Sequence, residues 1–228
     1  MPLRLLAALA AAFLAASGNA AAQEKPLAFT GARIIPIAGL PVENGVLILQ
    51  GGRILAVGPA ASTAIPAGAE VRDARGKVIM PGLVDSHSHI GGASGADGAS
   101  PVQPEVRVLD AIDVRHASIQ KAQAGGITTV NVMPGSGHLI SGQTLYLKLR
   151  DGRVIDDLLV RLPDGSIAGG LKMANGTNSI RSPGGPFPGS RAKSAALVRE
   201  QFVKAQEYQA RRERAGNDAE KLPARDLA

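Results

Sequence analysis

From residue 82 the chain alternates strand, helix and strand, and each strand runs into a loop of small or polar residues. Gly82-Leu83-Val84-Asp85 is a short apolar strand that leads into Ser86-His87-Ser88-His89. A Gly-rich loop covers 91–100. Leu109, Ile112, His116, Ile119 and Gln123 then recur at three- and four-residue spacing, which predicts a helix over 105–124 closed by Gly125-Gly126. That range puts His116 in mid-helix, on the packing face or at its edge. Residues 127–133 are β-branched and read as a second strand, closed by Pro134-Gly135-Ser136-Gly137. Strand, helix and strand in this order make a βαβ unit, so the fold class is α/β with a parallel sheet.

The residues before this unit follow another pattern. Short strands are predicted over 32–37, 46–49, 53–57, 69–72 and 77–80, with turn signals at Gly51-Gly52 and Asn44-Gly45. No titratable cluster lies among them, so 23–80 reads as a small structural β-domain and 81–228 as the part that carries chemistry. Further on, 144–149 and 154–161 fit either strand or helix. Residues 166–173 read as a strand containing Gly169-Gly170, and 175–190 as a loop. Leu197, Val198, Phe202, Ala205 and Tyr208 form one stripe of a helix over 194–214.

Composition removes several functions. The chain has no cysteine, which excludes a disulfide framework, a thiolate metal site and a cysteine nucleophile. Its net charge is +6, but the basic residues are dispersed apart from Arg211, Arg212 and Arg214. With four Phe, two Tyr and no Trp, it lacks the stacking aromatics of a nucleic-acid binder, and no nucleic-acid partner is expected. A binder of anionic surfaces driven by charge alone remains a rival, marked by steep salt dependence. Residues 1–22 have the order of a signal peptide: Arg4, an apolar run over 5–16, then Ala20-Ala21-Ala22. The run is short for a bilayer span, and no later stretch is long and apolar enough for one. The mature chain is therefore expected to be exported, periplasmic or secreted, without a membrane span.

His87 and His89 are the sharpest chemical signal. Side chains at i and i+2 of a strand share a face, so two imidazoles at a strand end can converge on one divalent ion, and zinc accepts imidazole readily. A bare His-x-His is weak, but here it stands at the carboxyl end of a strand, where α/β proteins place their active sites.

The stretch KVIMPGLVDSHSH, residues 77–89, resembles the amidohydrolase superfamily of metal-dependent hydrolases, and within it the imidazolonepropionase-like and hydantoinase-like members. AGGITTVN, residues 124–131, is similar to their second barrel strand. The resemblance implies a small β-sandwich followed by a (β/α)8 TIM-type barrel, here only in part. It implies that His87 and His89 are metal ligands. Asp85 matches the acidic residue that often precedes them; it either orients an imidazole or caps a turn. Lys172, at the end of a strand, matches the position of a lysine that carbon dioxide converts to a metal-bridging carbamate; a solvated lysine is the alternative. His138, after the second strand, is a candidate substrate-binding residue. One or two divalent ions, zinc first, are implied as cofactor, and a small molecule or peptide as substrate.

No histidine follows His138, whereas the superfamily takes further histidines and a catalytic aspartate from later strands. A whole barrel needs about 250 residues, so the chain is expected to be the N-terminal part of a longer enzyme, with its general base beyond Ala228. The expected reaction is hydrolysis of a C–N bond in an amide, cyclic amide or peptide by metal-activated hydroxide. A deaminase or lactonase on the same scaffold, or an exported metal-binding or scaffold protein without catalysis, are the alternatives. The leader makes the first prediction: protein recovered from outside the cytoplasm begins at Gln23 by intact-mass analysis. Exported protein that keeps Met1 contradicts it.

Overall fold

The computed structural model describes residues 25–93, 97–180, 185 and 187–226, and the leader over 1–22 lies outside them. The chain divides into two compact units between Pro81 and Gly82. Among the described residues no helix is long and apolar enough to cross a membrane.

The first unit is one five-stranded sheet. β1 (Leu27–Ile34), β2 (Val42–Gln50) and β3 (Arg53–Pro59) form an antiparallel meander, and β4 (Glu70–Asp73) and β5 (Val78–Ile79) both pair in parallel with β1. Gly51 and Gly52 have φ of 56° and 71°. A two-residue hairpin turn of this hand needs positive φ at both positions, and glycine supplies it without strain. Asn44-Gly45 is not the turn its sequence predicts. It lies inside β2, with Asn44 at φ 48° beside a register shift in the β1–β2 pairing, and asparagine tolerates that backbone state better than most residues. Ala28, Val46 and Ile48 pack as one buried cluster and Ala32, Ile34 and Ala74 as another.

In the second unit β6 (Leu83–Ser88) pairs in parallel with β7 (Ile127–Val132), and β9 (Leu145–Lys148) pairs antiparallel with β7 on its other side. The sheet is therefore mixed, not wholly parallel. β8 (Ile140–Gln143) and β10 (Leu171–Met173) form a separate antiparallel pair. Val130, Val132, Leu145 and Leu147 turn one face of the β7–β9 ladder into the core, where Ile119, Leu149 and Leu158 join them. Strand alternation leaves Thr129, Asn131, Tyr146 and Lys148 on the opposite face. There Lys148 Nζ donates to Thr129 Oγ1 at 2.9 Å.

The connection between β6 and β7 departs most from the sequence reading. Among its described residues only α1 (Ala117–Ala124) is α-helical, and a 3-10 turn covers Val108–Ala111. Pro101 and Pro104 lack N–H groups, and the segment's carbonyls are claimed elsewhere. Gln143 N donates to Val106 O at 2.7 Å, and Gln143 Nε2 to Pro104 O at 3.0 Å. With its backbone tied to β8, this stretch cannot coil. His116 accordingly caps α1, accepting from Ser118 N at 3.3 Å, and is not a mid-helix packing residue. The last helix, α2 (Arg191–Ala215), begins at Ser190, whose hydroxyl accepts from Lys193 N, and ends at Gly216 with φ 55°.

Gly142 in β8 has φ 119°, and a Cβ there would overlap the Val106 carbonyl that receives the Gln143 bond. Gly142→Ala should therefore cost about 2–4 kcal/mol by chemical denaturation, from left-handed strain and forced separation of the two backbones. Gly176→Ala, with open space around its Cβ, should change stability by less than about 0.5 kcal/mol. Equal costs at the two sites would show that the close approach is not what holds β8.

Candidate metal centre

Parallel pairing sets Asp85 beside Val130 and Ser88 beside Val132. Two residues on β6, Ser86 and His87, thus stand against one on β7, Asn131. This irregularity turns the end of β6 so that His87 and His89 face each other. Their Nε2 atoms are 3.3 Å apart, with ring centroids 5.1 Å apart and planes at 83°. Both residues are exposed, whereas Ser88 between them is buried at 5%.

His89 is held from behind. Its Nδ1 lies 2.7 Å from the carbonyl oxygen of Met133, the residue that follows β7. A carbonyl only accepts, so Nδ1 carries the proton and Nε2 offers a lone pair towards His87. Two ligands on a tetrahedral zinc at 2.0–2.1 Å stand about 3.3–3.4 Å apart. The pair is therefore spaced as two ligands of one small cation, and the donor set, two imidazoles with one tautomer fixed, suits such an ion. The same 3.3 Å also fits a proton donated from His87 Nε2 to His89 Nε2. Both arrangements use the same preorganised lone pair.

Asp85 does not reach an imidazole. Its Oδ1 accepts from the backbone N–H of His87 at 3.1 Å, so of its two sequence readings the structure gives the turn cap. Lys172, in the middle of β10, is half-buried, and its Nζ lies 3.5 Å from the sulfur of Met133. Met133 thus touches two of the candidates, His89 through its backbone and Lys172 through its side chain. His138 is buried at 3% and its ring packs against Phe187, with centroids 5.2 Å apart. Among the described residues no third His, Asp, Glu or Cys joins the pair in a group that could hold a metal.

The carboxylates with resolved shifts belong to other places. A side-chain hydrogen bond from Arg75 lowers the pKa of Asp73, and the backbone N–H groups of Arg153 and Val154 lower that of Asp157. A hollow of about 240 Å³ between α2 and the β8–β10 pair, lined by Ile140, Leu171, Phe202 and Tyr208, is likewise distinct from the histidine pair. Sequence reasoning overlooked Met133, because an apolar residue at a strand end carries no chemical signal and its contribution to His89 is a backbone carbonyl.

A mixed α/β unit with paired imidazoles at the carboxyl end of a parallel strand defines a class of protein whose chemistry sits at strand ends. Comparison narrows the class. No family model matches the chain. It is 32% identical over 98 residues to amidohydrolase tasK of Hapsidospora irregularis, covering 39% of this chain and 10% of that protein. It is 33% identical over 106 residues to a dihydroorotase of Pelotomaculum thermopropionicum, covering 46% of this chain and 21% of that protein. Among solved structures, an amidohydrolase from Thermotoga maritima superposes with a TM-score of 0.74 at 29% identity, over 88% of this chain and 53% of that one. These likenesses in sequence and fold support the amidohydrolase superfamily for the chain. The chain spans about a tenth to a fifth of these two curated relatives and about half of the solved structure.

The turn cap at Asp85 can be tested by itself. Asp85→Ala should cost about 1 kcal/mol of stability, the worth of one hydrogen bond, and Asp85→Asn, which keeps an acceptor oxygen, a few tenths at most. An Asp85→Asn protein destabilised as much as Asp85→Ala would show that charge, not the acceptor, is what matters there.

Proposed function

We propose that the protein is a metal-dependent hydrolase of C–N bonds in an amide, cyclic amide or peptide, with His87 and His89 as two of its metal ligands. The observation that carries this reading is the 3.3 Å approach of the two Nε2 atoms, with His89 Nδ1 bound to the Met133 carbonyl. The relatives named amidohydrolase and dihydroorotase support the bond class. The likeness to the Thermotoga maritima amidohydrolase supports a scaffold in which 23–80 is part of a β-sandwich and 81–228 the first part of a (β/α)8 barrel.

A divalent ion, zinc by ligand type, supplies Lewis acidity when bound: it polarises a carbonyl and lowers the pKa of water. The chain's own residues prepare the place. His87 and His89 offer paired lone pairs, the Met133 carbonyl keeps the His89 proton on Nδ1, and the Asp85 carboxylate holds the backbone turn beneath His87. Lys172 approaches the same region through Met133. Reaction of its neutral amine with carbon dioxide, with loss of one proton, would give a carbamate whose two oxygens can join one or two ions. His138, whose ring packs against Phe187 after β7, is the proposed substrate-binding residue. The general base is proposed to lie outside residues 1–228, and the substrate to be a small molecule or peptide.

The test uses the full protein that contains this chain. His87→Ala and His89→Ala should each remove most of the bound metal by elemental analysis and abolish hydrolysis of a cyclic amide such as dihydrouracil. Lys172→Arg keeps the charge but cannot be carboxylated, and it should lower metal occupancy in a way that bicarbonate does not restore. A double histidine variant with full metal and full rate overturns the ligand assignment. A Lys172→Arg protein with normal metal content removes Lys172 from the site and leaves the histidines standing.

A further inference from the structure

The two imidazoles are not equally prepared. His89 has its acceptor in the Met133 carbonyl. His87 has none: among the described residues its bonds are the backbone N–H to Asp85 and the Nε2 contact with His89. A histidine that binds metal through Nε2 carries its proton on Nδ1, and a nearby acceptor normally holds that N–H and orients the ring.

One acceptor in the neighbouring strand is unclaimed. Asn131 lies on β7, on the face away from the core, and its Oδ1 is buried without a hydrogen-bond partner. A buried amide oxygen left unpaired costs about 1–3 kcal/mol, so it calls for an explanation. The register supplies one. Asp85 pairs with Val130 and Ser88 with Val132, which leaves Ser86 and His87 alongside Asn131. The donor without an acceptor and the acceptor without a donor thus occupy adjoining positions of one parallel ladder. The other polar side chains of that face are engaged or differ in kind: Thr129 receives Lys148, and Tyr146 is itself a donor.

We infer that Asn131 is the positioning residue of His87: its Oδ1 receives the His87 Nδ1–H once the ring turns to offer Nε2 to a cation. This rests on the proposed ligand role of His87. It makes the site symmetrical in design, with each imidazole braced from β7, one by a backbone carbonyl and the other by a side-chain amide. It also gives a reason for an asparagine in a strand of otherwise β-branched residues, Ile127-Thr128-Thr129-Val130-Asn131-Val132.

The experiment compares wild type, Asn131→Asp and Asn131→Leu in the full protein, with His87→Ala as control. Zinc affinity is read by chelator competition, and the histidine tautomers by nitrogen-15 NMR with and without zinc. Asn131→Leu should weaken zinc binding by roughly 10–100-fold, while the metal-free protein unfolds at the same or a higher temperature because the orphan oxygen is gone. Asn131→Asp keeps an acceptor and should restore affinity to within about threefold of wild type. The His87 resonance should show an Nδ1–H proton in zinc-loaded wild type and in Asn131→Asp. Equal zinc affinity in wild type and Asn131→Leu overturns the inference, as does a His87 that carries its proton on Nε2 in zinc-loaded wild type. If His87→Ala binds zinc as well as wild type, the ligand reading fails, and the inference with it. If only Asn131→Leu is silent, the inference fails alone.

Discussion

The parallel pairing of β6 with β7 is the constraint on which the second unit depends. It brings the end of one strand beside the end of the next, and so carries the Met133 carbonyl within 2.7 Å of His89. The irregularity in that pairing, two residues against one between Asp85 and Ser88, turns His87 towards His89. The core faces of β7 and β9, with Val130, Val132, Leu145 and Leu147 buried, keep the ladder from slipping. A slip of one residue would move those side chains to the polar face and withdraw the carbonyl from the imidazole together. Packing and site geometry are therefore fixed by one register.

How far this was legible in the sequence depends on how local each cause is. The hairpin at Gly51-Gly52 was readable because positive φ at two successive positions leaves a compositional trace. The β-branched run that became β7 was readable for a similar reason, as was α2, whose apolar stripe repeats over several turns. The connection between the strands was not. Its helical spacing over 105–124 is real, but the backbone at Pro104 and Val106 bonds to Gln143, nearly forty residues away. No local pattern reports such a partner. Asn44-Gly45 fails in the same way: its left-handed residue exists, but serves a bulge inside a strand instead of a turn.

The site divides along the same line. The spacing of His87 and His89 stated that they share a face, and the structure adds that their Nε2 atoms meet. Asp85 was readable as an acidic neighbour that either orients an imidazole or caps a turn, and the sequence left that choice open because it depends on how the strand end bends. The link from Lys172 to His89 through Met133 spans 39 and 44 residues and exists only in the folded chain. His138 carries the same chemistry as the pair in sequence, and only the structure shows that its ring packs against Phe187.

The hydrogen bond from His89 to Met133 has a bearing on how such a site changes over generations. Its acceptor is main chain, so no substitution at position 133 can delete it. The side chain there is free to drift, provided that it fills the same space beneath Lys172. What removes the acceptor is a change of length: one residue inserted in or deleted from β7 shifts every carbonyl beyond it. Sites braced in this way tolerate many point mutations and few insertions, and their record in related chains is kept by spacing more than by identity.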